Sequence, residues 1–246
     1  DFLPQDLFEA LDSGSMDAAI VVQARQCIAE NEFLLACSDT DRIAGVVGWV
    51  DLQSPSVAED LARLTENKKL VGVRHIVQAE PDPEFLARPA FRCGIERLEG
   101  FNLTYDLLIY SHQLPQVIGF CKAFPSLRIV LDHCAKPGIR RGDWEPWAGK
   151  IAELARLENV FCKISGLSFE ADWEHWTAET LRPYVVHVLG CFGPGRVMFG
   201  SDWPVSLTPG SYARTVSCLE SCFSCLNADE LLGVMGRNAM RFYGIC

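Results

Sequence analysis

Short apolar runs alternate with longer amphipathic stretches along the whole chain. The runs cover residues 19–22, 46–50, 72–76, 103–109, 128–131, 160–164 and 196–199, roughly 25 to 35 residues apart. They are apolar at successive rather than alternate positions, the pattern of parallel strands covered on both faces. Between them, prolines mark the first turns of helices, where a missing N–H is tolerated. Ser54-Pro55 precedes a helix over 57–64, in which Val57, Leu61 and Leu64 form one stripe. Pro83 and Pro89 open short helices around Phe85 and Ile95; Pro115 opens 117–124, Pro146 opens 151–157 and Pro209 leads into 212–223.

Strand and helix alternating at this spacing predict an α/β fold with a parallel sheet and right-handed crossovers. An open, doubly wound sheet would carry a glycine-rich phosphate loop after an early strand. Here Gln23-Ala24-Arg25-Gln26 follows the first run instead. The pattern therefore predicts a TIM-type (β/α)8 barrel, whose usual length is about 250 residues. A helix over 5–11 precedes the first run, and seven strand–helix units follow. One strand of eight is unaccounted for, and the expectation is that strand one is missing from this chain. No Gly/Ser linker interrupts the sequence, so residues 1–246 read as a single domain. Without strand one, the strands at 19–22 and 197–199 would each expose an unpaired edge, predicting self-association.

Composition narrows the function. The net charge is −10 with no basic stripe, which argues against a nucleic-acid partner. No apolar run approaches the ~20 residues that span a bilayer, so no membrane partner is expected. The opening Asp1-Phe2-Leu3-Pro4 carries no secretory pattern, and a cytoplasmic location is the default expectation. The eleven cysteines are an odd number, spread out as in a reducing compartment. Cys222-Phe-Ser-Cys225 matches C-x-x-C, yet no second pair or nearby His completes a metal site.

In barrels of this kind chemistry sits at the C-terminal ends of the strands. Polar residues recur there: Gln23, Trp49 and Asp51, Arg74 and His75, Tyr105 and Asp106, Asp132-His133, Lys163 and Ser165, and Ser201-Asp202-Trp203-Pro204. One such residue could simply cap a helix; seven successive strand ends are harder to assign to capping. Side chains alternate along a strand, so only one of Arg74 and His75 faces the interior. Arg74 is the favoured substrate contact, because its planar fork matches carboxylates and hydroxyls.

The segments Ile129-Val130-Leu131-Asp132-His133-Cys134-Ala135-Lys136-Pro137 and Phe199-Gly200-Ser201-Asp202-Trp203-Pro204 resemble the amidohydrolase-related barrels, which include fuconolactonases and pyrone-dicarboxylate lactonases. Val46-Val47-Gly48-Trp49-Val50-Asp51, Gly72-Val73-Arg74-His75, Cys162-Lys163-Ile164-Ser165-Gly166 and Asn238-Ala239-Met240-Arg241-Phe242-Tyr243 extend the resemblance over nearly the whole chain. It implies a hydrolase opening a sugar-acid lactone. Asp202 would be the general base on water, and His133 would position that water or polarise the carbonyl. His75, Tyr105, Lys163 and Trp203 join Arg74 as candidate substrate-binding residues. The family's His-x-His pair at the end of strand one has no counterpart, since no His precedes His75. That leaves no metal site assigned: a divalent metal such as zinc is expected only if the pair were present. The alternatives are a metal-dependent decarboxylase of the same superfamily and a catalytically silent barrel.

Overall fold

The computed structural model describes residues 2–245. Seven strands form one parallel sheet in sequence order: β1 (Ala19–Val22), β2 (Ile43–Gly48), β3 (Leu70–His75), β4 (Thr104–Leu107), β5 (Ile129–Leu131), β6 (Val160–Ile164) and β7 (Val197–Phe199). The sheet curls in the manner of a TIM-type barrel. Each crossover carries helix: α1 (Pro4–Ser13) precedes β1, α2 (Ile28–Cys37) and α3 (Val57–Leu64) follow β1 and β2, and α4 (Pro89–Gly100) and α5 (Leu114–Ala123) follow β3 and β4. Beyond β5 come α6 (Trp147–Leu154), the short α7 (Leu167–Glu170) and α8 (Ala178–Phe192), and after β7 come α9 (Tyr212–Cys222), α10 (Ala228–Leu232) and α11 (Asn238–Tyr243).

Helices heralded by proline are present, although the one after Pro146 runs Trp147–Leu154 instead of 151–157. The helices α2 and α8 have no proline at their first turn, and α8 holds Pro183 inside. Their starts carry none of the signal used for the others. Strand β2 begins at Ile43, ahead of the apolar run at 46–50, and Trp49 and Val50 already lie beyond it.

Alternation along the strands sorts side chains into two faces. One face packs on the helices: Val73, Tyr105, Leu107, Ile129, Leu131, Cys162 and Ile164 belong to the main core with α3 to α8. The other face lines the barrel. Its lower layer is apolar, with Val47, Val130 and Met198 buried and Ile20 and Phe161 packed against them. Phe242 and Tyr243 of α11 close this layer, the Phe242 and Phe161 rings lying 4.9 Å apart. Above it, toward the strand ends, the lining turns charged: Arg74, Asp106 and Lys163 come from β3, β4 and β6, and Asp132 directly follows β5. A layer of this kind sits directly beneath the functional face of the fold.

Among the described residues, no pairing joins β7 to β1. All four residues of β1 are partly exposed although all are apolar, whereas β4 and β5 are wholly buried. No helix is long and apolar enough to cross a membrane among the described residues.

Candidate active site

The charged layer is a buried network. Asp132 accepts from Arg74 Nη1 at 2.9 Å and lies 2.8 Å from Lys163 Nζ. The same ammonium also pairs with Asp106, which accepts from Tyr243 Oη at 2.8 Å. Arg74 turns its other terminal nitrogen to the Gln23 carbonyl, and Gln23 Nε2 donates back to the Arg74 carbonyl at 3.0 Å. Burial opposes ionisation of Asp132, but the charges of Lys163 and Arg74 outweigh it and hold that carboxyl well below the usual range. For Asp106 burial wins over Lys163 and pushes the carboxyl up. Burial also works against the Lys163 charge; the two carboxylates overcome it and keep the ammonium protonated far into alkali.

Immediately after β5 the chain makes an unusual turn. His133, Cys134, Ala135 and Lys136 all have left-handed backbone, with φ between 52° and 57°. None is glycine, so each carries a strain of roughly 1–2 kcal/mol. Several anchors hold the turn: Trp147 Nε1 donates to the Cys134 carbonyl at 2.7 Å, and the Cys134 thiol reaches the Lys163 carbonyl at 3.3 Å. The consequence is that His133 and Lys136 are delivered above the charged layer rather than into the helical shell.

His133 faces Asp202, which follows β7 and is itself left-handed (φ 56°). His133 Nε2 and Asp202 Oδ1 are 3.8 Å apart, too far for a direct hydrogen bond, with both side chains largely buried. The other ring nitrogen, Nδ1, lies 2.8 Å from Ser165 Oγ, which fixes the ring plane. Burial lowers the His133 pKa below the ordinary 6.5, against the opposing pull of Asp202 and Asp132. Gly166 leaves the space for this encounter. Its φ is +66°, and a Cβ there would sit 2.9 Å from His133 Nδ1 and 3.0 Å from Asp202 Oδ2.

Beside the pair opens a cleft of about 320 Å³, walled by Tyr110, His112, Lys136, Phe169, Glu170 and Trp173. The wall 169–173 starts just beyond Gly166, whose carbonyl accepts from Phe169 N at 3.1 Å. Burial depresses the Lys136 pKa, and the nearest opposing charges are Glu170 and then Asp202. Burial likewise raises the Glu170 pKa.

The structure brings Asp202 and His133 together and sets Arg74 and Lys163 beneath them. His75 and Tyr105 take the opposite face of their strands. His75 stacks on Phe85 at 4.7 Å and pairs with Glu80 at 2.6 Å, while Tyr105 packs between Phe91 and Phe120, fully buried. Alternation along β3 and β4 is the reason: once Arg74 and Asp106 point inward, His75 and Tyr105 point out. The expected substrate contact for these two therefore becomes a packing position. Lys163 points inward as expected, but both of its carboxylate partners claim it. Trp203 is partly buried, its ring 5.1 Å from that of Phe2 at the mouth. Asp132 and Ser165 stand among the polar strand ends in the sequence but without a role there, and nothing local marked Gly166 or Tyr243 as site residues, although both lie inside the motifs quoted above.

Metal-type donors are few here. His133 and Asp202 supply two, and among the described residues no group of three or more His, Cys, Asp or Glu converges. Catalytic zinc usually takes three protein ligands, so this donor set by itself does not fit one.

The amidohydrolase family model matches residues 1–245. Among curated proteins, the chain is similar to L-fucono-1,5-lactonases of Burkholderia ambifaria (37% identical) and Burkholderia multivorans (39% identical), in each case over 100% of this chain and 86% of the relative. The crystal structure of an amidohydrolase from Burkholderia multivorans with bound zinc superposes with a TM-score of 0.95 at 38% identity, covering 100% of this chain and 89% of that one. The chain belongs to the amidohydrolase family.

Proposed function

We propose that this chain is a lactonase that opens a sugar-acid lactone by adding water to its carbonyl, with Asp202 as general base. The observation that carries this reading is the His133–Asp202 pair, 3.8 Å apart just beyond the ends of β5 and β7. A water lying beside the pair reaches both atoms at ordinary hydrogen-bond distances of about 2.8 Å. Asp202 takes one proton from it, and the resulting hydroxide oxygen bonds to the lactone carbonyl carbon. The tetrahedral oxyanion then collapses, the ring C–O bond breaks, and the proton held by Asp202 passes to the departing ring oxygen. Neutral at pH 7 and with Nδ1 accepting from Ser165, His133 donates its Nε2–H to the water and leaves the proton transfer to Asp202. Arg74 and Lys163 serve the site from below: by fixing Asp132 they fix the turn that carries His133. Trp203 offers an apolar edge to the substrate at the mouth.

The named activity of the Burkholderia relatives, at 37% and 39% identity over the full chain, supports the same reading. Two donors without a third leave the metal-dependent decarboxylase with less support, and no step here is routed through a metal. The ten cysteines among the described residues are all free, in keeping with a reducing compartment such as the cytoplasm. Among the described residues β1 and β7 are not paired with each other, and a strand edge left uncovered there would template pairing with another chain.

The test is proton release from L-fucono-1,5-lactone and other aldonolactones, corrected for spontaneous opening, with and without chelator. Asp202→Asn is expected to lower kcat by roughly 100- to 10,000-fold. Wild-type protein that releases no proton from any lactone overturns the proposal in favour of a silent barrel, and chelator-sensitive carbon dioxide release overturns it in favour of the decarboxylase.

A further inference from the structure

Lys136 and Glu170 stand on the walls of the cleft beside the His133–Asp202 pair. Both are partly buried and oppositely charged, yet among the described residues neither makes an ion pair within 4.0 Å or a side-chain hydrogen bond. Charged groups removed from water ordinarily find a partner. Lys136 instead lies over the Tyr110 ring, 5.2 Å from its centroid, at the end of the strained left-handed turn. Nearby, Trp173 is exposed but pinned: its Nε1 donates to the Phe169 carbonyl at 2.8 Å, and the two rings are 5.1 Å apart. Arg141, which also lines the cleft, is already taken by Asp143 at 2.6 Å. A donor, an acceptor and fixed aromatic surface around a small cleft make a chemistry that suits neither a plain hydrocarbon nor a simple anion. It suits a ring with hydroxyls at its rim and C–H bonds on its face.

Resting on the lactonase reading, we propose that Lys136 and Glu170 are specificity residues that receive the ring hydroxyls of a polyhydroxylated lactone, with Phe169 and Trp173 beneath its C–H face. The ammonium donates to one hydroxyl oxygen, and the carboxylate accepts from another hydroxyl. Neither group takes part in bond breaking. They select sugar lactones over unsubstituted rings of the same size, because removing a hydroxyl leaves a partly buried charge without its partner.

The test compares L-fucono-1,5-lactone with δ-valerolactone, the same six-membered ring without hydroxyls, for wild type, Lys136→Met and Glu170→Gln. Each substitution is expected to lower kcat/KM for the sugar lactone roughly 10- to 100-fold, while the value for δ-valerolactone changes by less than about threefold. Equal losses on both substrates would assign these residues to the chemistry or to folding and overturn the proposal. Calorimetric binding of L-fuconate and of 5-hydroxypentanoate separates this proposal from the lactonase reading. L-fuconate binding that Lys136→Met and Glu170→Gln weaken roughly tenfold or more supports the subsite even in a protein with no lactonase turnover. Binding that neither substitution changes, or 5-hydroxypentanoate bound as tightly as L-fuconate, overturns it.

Discussion

Lys163 Nζ lies 2.8 Å from Asp132 Oδ1 inside the barrel, the lysine side chain largely buried and the carboxylate almost wholly so. The same ammonium neutralises Asp106, so one cation serves two buried carboxyls. Removing one member of a buried ion pair strands the others in a medium that solvates charge poorly. Lys163→Met is therefore expected to cost roughly 3–5 kcal/mol of stability, measured by urea unfolding at pH 7. The loss should shrink toward pH 4, because the stranded carboxyls can then be protonated. In the wild type the Lys163 contribution has the opposite dependence. Its folded pKa is raised above 10.5, so its stabilisation is complete below that value and disappears as pH rises through the folded pKa.

Burial sets the pH behaviour of His133. Its pKa in the fold lies below the ordinary 6.5, so the neutral ring predominates at pH 6.5 and above. The unfolded chain binds the proton more readily. Stability from this group is thus fully present above 6.5 and is lost as pH falls through the lower, folded value. Protonation would also place a cation against Asp202 and compete with its hold on water. The kcat/KM profile should be level through neutrality and fall only on the acid side of 6.5, and His133→Gln should remove that acid limb while lowering the plateau.

Gly166 is the hinge of the pair's geometry. Substitution by alanine would put a methyl carbon 2.9 Å from the His133 ring and 3.0 Å from the Asp202 carboxylate, at a φ of +66°. The backbone strain alone is about 1–2 kcal/mol. Gly166→Ala is expected to lower kcat roughly 100-fold, because misplacement by about 1 Å is enough for such a loss. The far-UV circular dichroism should stay unchanged.

The seam between β1 and β7 predicts a concentration-dependent mass. Among the described residues the partly exposed Ala-Ile-Val-Val strand has a strand partner on one side, β2, and a free edge of this kind templates further pairing. Sedimentation velocity over a wide concentration range is expected to show dimers or larger species. A single monomeric boundary at every concentration would count against it.

Periodicity was enough to locate the seven strands in order, because consecutive apolar runs bounded by proline-led helices have few other solutions. It was weaker for α2 and α8, where no proline marks the start, and at the edges of β2. The motifs around His133 and Asp202 were legible because strand ends in this architecture converge on one face. Sequence by itself could also say that one of Arg74 and His75 must point inward. Only the tertiary structure decided which one, and with it that Tyr105 faces the helices while Asp106 faces Lys163. The physical reason is that inward positions are filled by whichever side chains can neutralise one another across alternate strands, a relationship between residues more than 50 positions apart. The left-handed turn that lifts His133 and Lys136 to the mouth was equally invisible. Its strain is repaid by Trp147, Ser165 and Lys163, which no local pattern connects to it.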